Sequence, residues 1–394
     1  MPICFELTEN ARRARDHYHA MAAEQMRPLS REYDDREHEP PTEWIDYYWK
    51  RGRGGPKGTD LRGPGDGFVQ VCVQAEELCW GDAGLYLRIP SAALGGSAVA
   101  ATGTPEQKER FLAPFKGDGP PVWGAMAITE PGAGSDSAAI QTTADRDGDH
   151  YLLNGTKIFC TSGESASTHE GGFVVVWATV DRSAGRAAIK AFVVPANTPG
   201  MRLVGCEKKL GIRASDTATL VFENCRVPAG NLLGSESEGF IQAMAAFDYN
   251  RALIALGCVG AAQQSLDETI EYAKQRHTFG KPIAKHEGVS FQIAEHLTLV
   301  AAARLLAYQC LSLADQGQPS AKEAAMAKWL GPKVSAEAIH ACILLHGWMG
   351  YDQDLPFEQR LRDVIGLEIG DGTPEIMKAI IARETFGREF TAYK

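Results

Sequence analysis

The chain has 394 residues, a formal net charge of −10 and 44% hydrophobic residues. This length suits two or three domains, and the apolar content is sufficient to fill their cores. The negative charge excludes a general nucleic-acid-binding surface, which needs a clustered basic face. Because we find neither an apolar run of about 18 residues nor a signal-peptide pattern, we expect a cytosolic protein that binds neither nucleic acid nor membrane.

The nine cysteines are scattered along the chain. They form neither a C-x-x-C pair nor a Cys/His spacing that would bind zinc. An odd number of cysteines without such patterns is typical of free thiols in a reducing compartment. We therefore predict no metal site.

The N-terminal part has the pattern of helices. Residues 7–38 place apolar and charged side chains at helical spacing, with an interruption at Pro28, and residues 69–87 return to the same spacing. Thr104 is a suitable N-cap because a proline follows it at the first helical position. Residues 1–121 are therefore predicted to form an N-terminal helical domain.

The pattern then changes to that of strands. Short alternating apolar runs, such as residues 173–177 (FVVVW) and 219–222 (TLVF), are separated by Gly, Asn and Asp turns. Asn154 and Gly155 match a tight turn between two strands of a hairpin. Residues 122–230 are therefore predicted to form a small β domain of sandwich or barrel-like shape.

Helical periodicity returns after Pro228 and continues to the C-terminus. Four long helices are predicted, at residues 240–276, 287–316, 320–346 and 374–386. Helices of this length most simply pack as a bundle. Residues 231–394 are therefore predicted to form a C-terminal four-helix bundle, and the fold class is α+β, mostly α.

A Gly-rich turn follows an apolar strand in residues 127–136 (AITEPGAGSD). Gly132 and Gly134 let the main chain approach a ligand closely, and Thr129 and Ser135 offer hydroxyl groups to polar ring edges. Such a turn suits a flat cofactor. Taken alone, the same pattern is also typical of an ordinary turn before a hairpin.

Four further segments change the interpretation. They are residues 155–163 (GTKIFCTSG), 207–217 (EKKLGIRASDT), 275–281 (QRHTFGK) and 370–373 (GDGT). In this order, and together with the Gly-rich turn, they resemble the acyl-CoA dehydrogenases, flavoproteins that use FAD to desaturate acyl-CoA thioesters. The resemblance extends from about Phe68 to the C-terminus. It implies the same helical, β and helical domain order, and an electron-transfer flavoprotein or similar acceptor.

The resemblance implies roles for residues of the β domain. Ile128, Thr129, Phe159 and Thr161 would line the isoalloxazine ring of FAD. Ser135 would contact the cofactor and also face the CoA side of the substrate. For Phe159 the alternative is an aromatic residue of the β core.

The resemblance also implies an FAD site shared between subunits. Arg276 and Phe279 match positions that reach across a dimer interface to the neighbour's FAD, where the arginine pairs with pyrophosphate. The segment around Gly347 would approach the same FAD, which requires a homodimer or homotetramer. Taken alone, an arginine such as Arg276 at the end of a helix more commonly just complements the helix dipole.

Other matched positions belong to the substrate site. Asp248 and Arg251 match positions near the pantetheine and acyl chain, and their alternative is an exposed ion pair at i and i+3. Gly372 is assigned to the substrate and Thr373 to the cofactor.

The sequence departs from the family near the shared FAD site. Leu344 replaces a Gln, and Trp348 replaces the second of two adjacent glycines. An indole in that place should block the neighbour's backbone unless the loop moves. A Gly/Pro-rich stretch at residues 51–67 also replaces a longer apolar passage.

The sequence also departs from the family at the residue that acts as the base of the reaction. Desaturation of an acyl thioester needs a carboxylate that takes the α proton, donors for the enolate-like oxygen, and a flavin N5 that accepts the β hydride. The family most often has a Glu before Gly-Thr, where this chain has Asp371, and some members have a Glu where this chain has Asn250. Asn carries no titratable proton acceptor at neutral pH, so Asp371 is the candidate base. Its alternative role is an acidic residue beside the Thr373 helix cap.

Three functions are therefore open. The first is an FAD-dependent acyl-CoA dehydrogenase with Asp371 as the base. The second is a flavin oxidase of the same fold, similar to nitroalkane oxidase, in which an Asp deprotonates a small acidic carbon. The third, suggested by Leu344 and Trp348, is a partly degenerate subunit that builds an FAD site with a paralogous partner.

Overall fold

The structure is a computed structural model that describes residues 7–52, 67–234 and 240–391. Most of the Gly/Pro-rich stretch that departs from the family, residues 53–66, lies outside the described residues. The predicted class, mostly helical with a sheet domain in the middle, is confirmed.

The N-terminal part is helical, as predicted. Its helices are α1 Glu9–Met21, α2 Ser30–Asp35, α3 Thr42–Tyr47, α4 Gly67–Gly81, α5 Ala83–Leu87, α6 Ala93–Thr102 and α7 Pro105–Leu112. The predicted N-cap is confirmed, because the Thr104 hydroxyl accepts the Gln107 N–H at 3.2 Å and the Gln107 side chain accepts the Thr104 N–H at 2.9 Å. Helix α6 was not predicted. Its paired glycines, Gly95 and Gly96, reduce helix propensity, but a Cβ on Gly95 would lie 2.4 Å from the Ala125 carbonyl oxygen.

The middle part is a seven-stranded sheet. Its strands are β1 Gly124–Ala127, β2 Thr143–Asp147, β3 His150–Thr161, β4 Phe173–Thr179, β5 Ile189–Pro195, β6 Met201–Cys206 and β7 Thr217–Pro228. The spatial order is β1-β4-β2-β3-β7-β6, and β5 pairs with β4. Along β4 the buried side chains alternate between two apolar clusters, with Val174 and Val176 on one face and Phe173 and Trp177 on the other. The sheet therefore has a core on each face.

The hairpin turn predicted at Asn154 and Gly155 is wrong. Strand β3 continues through both residues, and its pairing with β7 shifts between Leu153 and Gly155, which marks a β-bulge. The glycine is required there because a Cβ would lie 2.4 Å from the Thr142 Oγ1. The turn that starts β3 lies earlier, at Gly148, which has φ 60°.

The C-terminal part is a helical bundle. Its helices are α9 Phe240–Gln275, α10 Glu287–Asp315, α11 Ala321–His346, α12 Trp348–Tyr351, α13 Phe357–Ile369 and α14 Pro374–Phe386. The short helix α8 Gly163–Thr168 belongs to the middle part, between β3 and β4. The four predicted helices are confirmed as α9, α10, α11 and α14. Helix α13 was missed because its buried face carries Gln359, Arg360 and Asp363, so it is less apolar overall than the four predicted helices.

Helix α10 is long and apolar enough to cross a membrane, by length and composition alone. It packs against α9 and α11 in the bundle. Of its most apolar 18-residue window, 28% is buried inside the described structure.

Candidate functional site

The Gly-rich turn and strand β3 lie side by side. The Ile158 N–H donates to the Thr129 carbonyl at 2.9 Å, which joins the two segments. Phe159 has φ 54° and its side chain is 59% exposed. The alternative that Phe159 belongs to the β core is therefore wrong, and its ring is free to lie against a ligand. Ile128, Thr129, Phe159 and Thr161 are grouped at this edge, and we call them the flavin-face group.

A buried ion pair between Lys157 and Glu130 connects β3 to the Gly-rich turn. The Lys157 Nζ donates to the Ile128 carbonyl at 3.0 Å and to the Glu130 Oε1 at 2.7 Å. Glu130 also accepts the Thr142 hydroxyl at 2.5 Å and the Gln141 N–H at 2.6 Å. Our sequence analysis missed this pair, although both residues stand in the matched segments.

Burial sets the protonation of that pair. Burial lowers the pKa of Lys157 to about 8, against the opposing effect of the Glu130 carboxylate. Burial alone would raise the pKa of Glu130, but the Lys157 ammonium and the hydrogen bonds from Thr142 and Gln141 outweigh it, so the pKa is lowered. Both groups are therefore charged at neutral pH, and the backbone that carries Ile128 and Thr129 is held by a charge-assisted contact.

The Gly-rich turn itself faces open space. The N–H groups of Glu130 and Ala133 each donate to the other's carbonyl, at 3.0 and 3.1 Å, which closes the turn. Ser135 is exposed at its tip. A Cβ on Gly132 or Gly134 would meet nothing within 4 Å, so packing within the described residues does not require glycine at either position.

Asp216 gives a structural role to the matched segment at residues 207–217, for which the sequence analysis predicted none. Its buried carboxylate forms an ion pair with Arg88. It also accepts the N–H groups of Glu164 at 2.8 Å and Ser165 at 3.1 Å, at the start of α8. Because α8 begins two residues after Thr161, Asp216 fixes the end of β3, the strand that carries Phe159 and Thr161.

The same segment connects the sheet to α13. The Ile212 N–H donates to the buried Asp363 carboxylate at 2.5 Å. A Cβ on Gly211 would lie 2.4 Å from the Arg362 carbonyl carbon. Helix α13 therefore approaches this segment closely, and the helix ends shortly before Asp371.

Asp371 lies in the turn between α13 and α14. It has φ 55°, a left-handed conformation that is uncommon for a residue with a side chain. Burial raises the pKa of Asp371, and the nearby Arg251 and Lys328 cations oppose the effect. No hydrogen bond reaches its carboxylate from any residue that the structure describes. Thr373, two residues later, caps α14 by accepting the Ile376 N–H at 3.4 Å.

Arg251 contacts Asp371 and pairs with Asp248. The Arg251 Nη1 donates to the Asp248 Oδ1 at 2.7 Å, and its Nε donates to the Asp371 carbonyl at 3.3 Å. The alternative of an exposed pair is wrong, because the Arg251 and Asp248 side chains are only 12% and 19% exposed. Burial raises the pKa of Asp248, and Arg251 opposes the effect. We call Asp248, Arg251, Asp371, Gly372 and Thr373 the base group.

Arg276, Phe279 and Gly347 form a separate set at the other end of the bundle. At 1.5 Å per residue, Arg276 lies about 37 Å along α9 from Arg251. Arg276 is exposed and the Phe279 side chain is 97% exposed. Stacking of Tyr272 on His346, with ring centroids 4.1 Å apart, holds the segments of Arg276 and Gly347 together. We call Arg276, Phe279 and Gly347 the distal group.

Trp348 is not a core residue. Its side chain is 80% exposed at the start of α12, and Leu344 is 64% exposed nearby. Gly347 has φ 63°, and a Cβ there would meet nothing within 4 Å. The two departures from the family therefore lie on a surface of this chain.

The chemistry of these groups fits a dinucleotide flavin. The exposed Phe159 ring and the open Gly-rich turn suit a flat ring system, and the exposed Arg276 suits a phosphate. The distal group and the base group lie far apart along α9. In the described residues, no group of three His, Cys, Asp or Glu side chains is arranged to hold a metal ion.

Comparison with known proteins finds three family models along the chain. The family models "Acyl-CoA dehydrogenase, N-terminal domain", "Acyl-CoA dehydrogenase, middle domain" and "Acyl-CoA dehydrogenase, C-terminal domain" match residues 8–116, 125–225 and 237–386. The "Short-chain specific acyl-CoA dehydrogenase, mitochondrial" of Rattus norvegicus is 37% identical over 383 residues, which cover 96% of this chain and 90% of that protein.

Two solved structures have the same fold over nearly their full length. The butyryl-CoA dehydrogenase of Megasphaera elsdenii is 31% identical, with a TM-score of 0.87 over 97% of this chain and 100% of that chain. A chain in the structure described as "Electron transferring flavoprotein of Acidaminococcus fermentans: Towards a mechanism of flavin-based electron bifurcation" is 34% identical, with a TM-score of 0.89 over 98% of this chain and 100% of that chain.

Proposed function

This chain belongs to the acyl-CoA dehydrogenase family of flavin-dependent oxidoreductases, and we propose that it is an FAD enzyme that desaturates an acyl-CoA thioester between its α and β carbons. The observation that carries the proposal is the Asp371 turn. It presents a half-buried carboxylate with a raised pKa beside the Arg251 and Asp248 pair. A base with a raised pKa is better matched to a weakly acidic α proton than an ordinary aspartate.

Each residue group has a proposed task. Asp371 takes the α proton, and its backbone N–H hydrogen-bonds the thioester oxygen, where negative charge develops. FAD, when bound, supplies the acceptor for the β hydride. Ile128, Thr129, Phe159 and Thr161 hold its ring.

The remaining assignments position the two ligands. Ser135 faces both the cofactor and the CoA. Asp248, Arg251 and Gly372 contact the substrate, and Thr373 contacts the cofactor.

We propose that the FAD site is completed by a second copy of the chain in a homodimer or homotetramer. The distal group lies about 37 Å from Arg251 along the helix, by the rise of 1.5 Å per residue, so it serves a neighbour's cofactor. Its surface also exposes large apolar side chains, with Phe279 at 97%, Trp348 at 80% and Tyr351 at 70%. Exposed apolar clusters of this kind mark protein interfaces.

The relatives suggest the substrate and the acceptor. Because the rat relative is named a short-chain acyl-CoA dehydrogenase and the M. elsdenii protein a butyryl-CoA dehydrogenase, we propose a short acyl-CoA as the substrate. An electron-transfer flavoprotein or similar protein is the proposed acceptor. Residues 1–121, 122–230 and 231–394 are the proposed domains, and the cytosol is the proposed compartment.

The test is anaerobic titration of the purified protein. We expect a yellow protein with close to one FAD per subunit, whose absorbance is bleached by butyryl-CoA and more weakly by long-chain acyl-CoAs. Bleaching by nitroalkanes alone, with oxygen uptake in air, would contradict the proposal and support the oxidase. Flavin-free protein that binds FAD only when it is co-expressed with a paralogue would support the degenerate-subunit alternative.

A further inference from the structure

Lys328 is a buried lysine of α11 whose side chain reaches the Asp371 turn. It is 1% exposed. Its Nζ donates to the Glu368 carbonyl at 3.0 Å and to the Gly372 carbonyl at 3.1 Å. These two carbonyls lie on either side of Asp371, so a single ammonium group joins the end of α13 to the start of α14.

The surroundings make a buried ammonium costly. Among the described residues, no carboxylate lies within ion-pair distance of the Lys328 Nζ, and an unpaired charge in a protein interior is strongly disfavoured. Burial lowers the pKa of Lys328, Arg251 acts in the same direction, and Cys258, Asp371 and Glu368 oppose them. An apolar side chain would avoid this cost but would leave both carbonyls without their donor.

The turn itself needs support. Asp371 and Gly372 both have positive φ, at 55° and 112°. A left-handed aspartate is retained only where its neighbours determine the conformation. Lys328 holds the carbonyls of Glu368 and Gly372, and Arg251 holds that of Asp371 at 3.3 Å. Cations from α9 and α11 thus hold the carbonyls of Asp371 and Gly372 in the turn and that of Glu368 at the end of α13.

We propose that Lys328 is a positioning residue for Asp371, which holds the turn in its left-handed conformation and supplies a positive charge that favours the ionised base. The Glu368 carbonyl belongs to the last turn of α13, where a cation also complements the helix dipole. The other charged or titratable groups at this place are Arg251 and Asp248, which pair with each other, the Glu368 side chain and the Cys258 thiol near Lys328. Arg383 and Glu384 of α14 lie near Asp248. The inference rests on the proposed function, because it assumes that Asp371 acts as the base.

Two substitutions separate the charge from the hydrogen bonds. Lys328→Met keeps a long unbranched side chain and removes both the charge and the hydrogen bonds. Lys328→Gln removes the charge but keeps an N–H donor. Lys333→Met is the matched control, because Lys333 lies on the same helix, is 47% exposed and, among the residues that the structure describes, forms an ion pair with Glu337 alone. The holoenzymes are compared by stopped-flow flavin reduction with butyryl-CoA between pH 6 and 9, and by hydrogen exchange of the peptide that covers residues 366–376.

We expect Lys328→Met to slow flavin reduction at least tenfold at pH 7, to move the apparent pKa of the rate profile upward, and to speed amide exchange in the turn. Removal of a nearby positive charge disfavours the ionised form of an acid, which gives the direction of the profile shift. Lys328→Gln should move the profile upward with slower turn exchange than the Met variant. The Lys333→Met variant should match the wild type in all three readouts.

The outcomes distinguish this inference from the proposed function. If Asp371→Asn still reduces flavin at the wild-type rate, the proposed function fails, whatever Lys328 does. If Asp371→Asn is inactive while folded Lys328→Met has the wild-type rate, profile and turn exchange, the inference alone is overturned. If the Met variant does not fold, the Gln variant decides, and an unshifted rate profile in that variant overturns the inference.

Discussion

At the scale of single residues, Asp371 is the proposed base of the reaction, and its burial also affects stability. Burial raises its pKa in the folded chain above the ordinary value of 3.8. For an acid with a raised folded pKa, the folded state binds more protons between the two pKa values, so stability falls as pH rises through that window. The cost of the buried carboxylate is present at neutral pH and absent below pH 3.8.

We therefore expect Asp371→Asn to raise the melting temperature at pH 7 to 8, and the gain to shrink as the pH is lowered toward 4. Thermal unfolding by circular dichroism across this range measures it. Asp267→Asn is the control, because Asp267 is an exposed acid on α9. A gain that persists unchanged at low pH, or an equal gain in the control, would show that the Asp371 carboxylate is not destabilised by burial.

Glu130 is the second residue with a clear energetic role. Glu130→Gln would leave the Lys157 ammonium buried beside the Ile128 carbonyl without a carboxylate. Breaking a buried pair in this way costs about 3 to 5 kcal/mol. Because the pKa of Glu130 is lowered from 4.5 in the folded chain, the wild-type contribution is complete above pH 4.5 and is lost as pH falls through the lower folded value.

Urea unfolding at pH 7 measures this loss, and flavin content measures its effect on the site. The exposed Lys333 and Glu337 pair provides the control, because Glu337→Gln should cost about 0 to 1 kcal/mol, as surface pairs do. Equal losses in the two variants would contradict the assignment of Glu130 and Lys157 as a buried clamp.

At the scale of elements, the segment at residues 207–217 joins the sheet to α13. The Gly211 backbone leaves no room for a Cβ against Arg362. We expect Gly211→Ala to destabilise the fold by roughly 1 to 3 kcal/mol, as overpacking does, and to slow flavin reduction because the Ile212 to Asp363 contact is displaced. Gly230→Ala is the matched control, since a Cβ there would meet nothing within 4 Å. Denaturant midpoints and stopped-flow rates of both variants are the measurements.

The same elements explain what the sequence could predict. Local periodicity found α9, α10, α11 and α14, because their buried residues are apolar over several turns. It missed α13, whose inner face is polar because it meets the N-terminal helices and the 207–217 segment through hydrogen bonds. Asn154 and Gly155 have turn chemistry, yet pairing with β7 keeps β3 continuous through them as a bulge. Tertiary contacts decided both cases.

The site likewise contains residues that the sequence could predict and one that it could not. Motif resemblance selected Phe159, Asp371 and the pair of Asp248 and Arg251, and the structure places the last three together. Resemblance gave no reason to select Lys328, because a lysine in an amphipathic helix is ordinarily a surface residue. Its position beside the Asp371 turn follows only from how α11 packs against the ends of α13 and α14.

At the scale of the whole molecule, we propose that the distal group serves the cofactor of a neighbouring subunit. We expect Arg276→Ala to lower FAD retention on gel filtration while the melting temperature of the flavin-free protein is unchanged, because Arg276 is exposed and makes no ion pair with any described residue. Lys274→Ala, an exposed cation in the last turn of α9, is the control. Unchanged flavin content in the Arg276 variant would show that the distal group does not bind the cofactor.

Trp348 belongs to the same surface. Since its side chain is 80% exposed, Trp348→Gly should not carry the cavity cost of a core tryptophan, which is about 3 to 5 kcal/mol. If the indole obstructs the neighbour's approach to FAD, the substitution raises flavin occupancy. Native mass spectrometry of both forms reports the subunit number and the bound flavin together.

The most direct measurement is the rate of anaerobic flavin reduction by butyryl-CoA in Asp371→Asn. Asn keeps the size and the backbone N–H of the aspartate but removes the proton acceptor. We predict a rate lower by about 10²- to 10⁴-fold, the range that general bases supply, with butyryl-CoA binding and flavin content retained. An Asn variant that reduces its flavin at the wild-type rate would contradict the assignment of Asp371 as the base of this dehydrogenase.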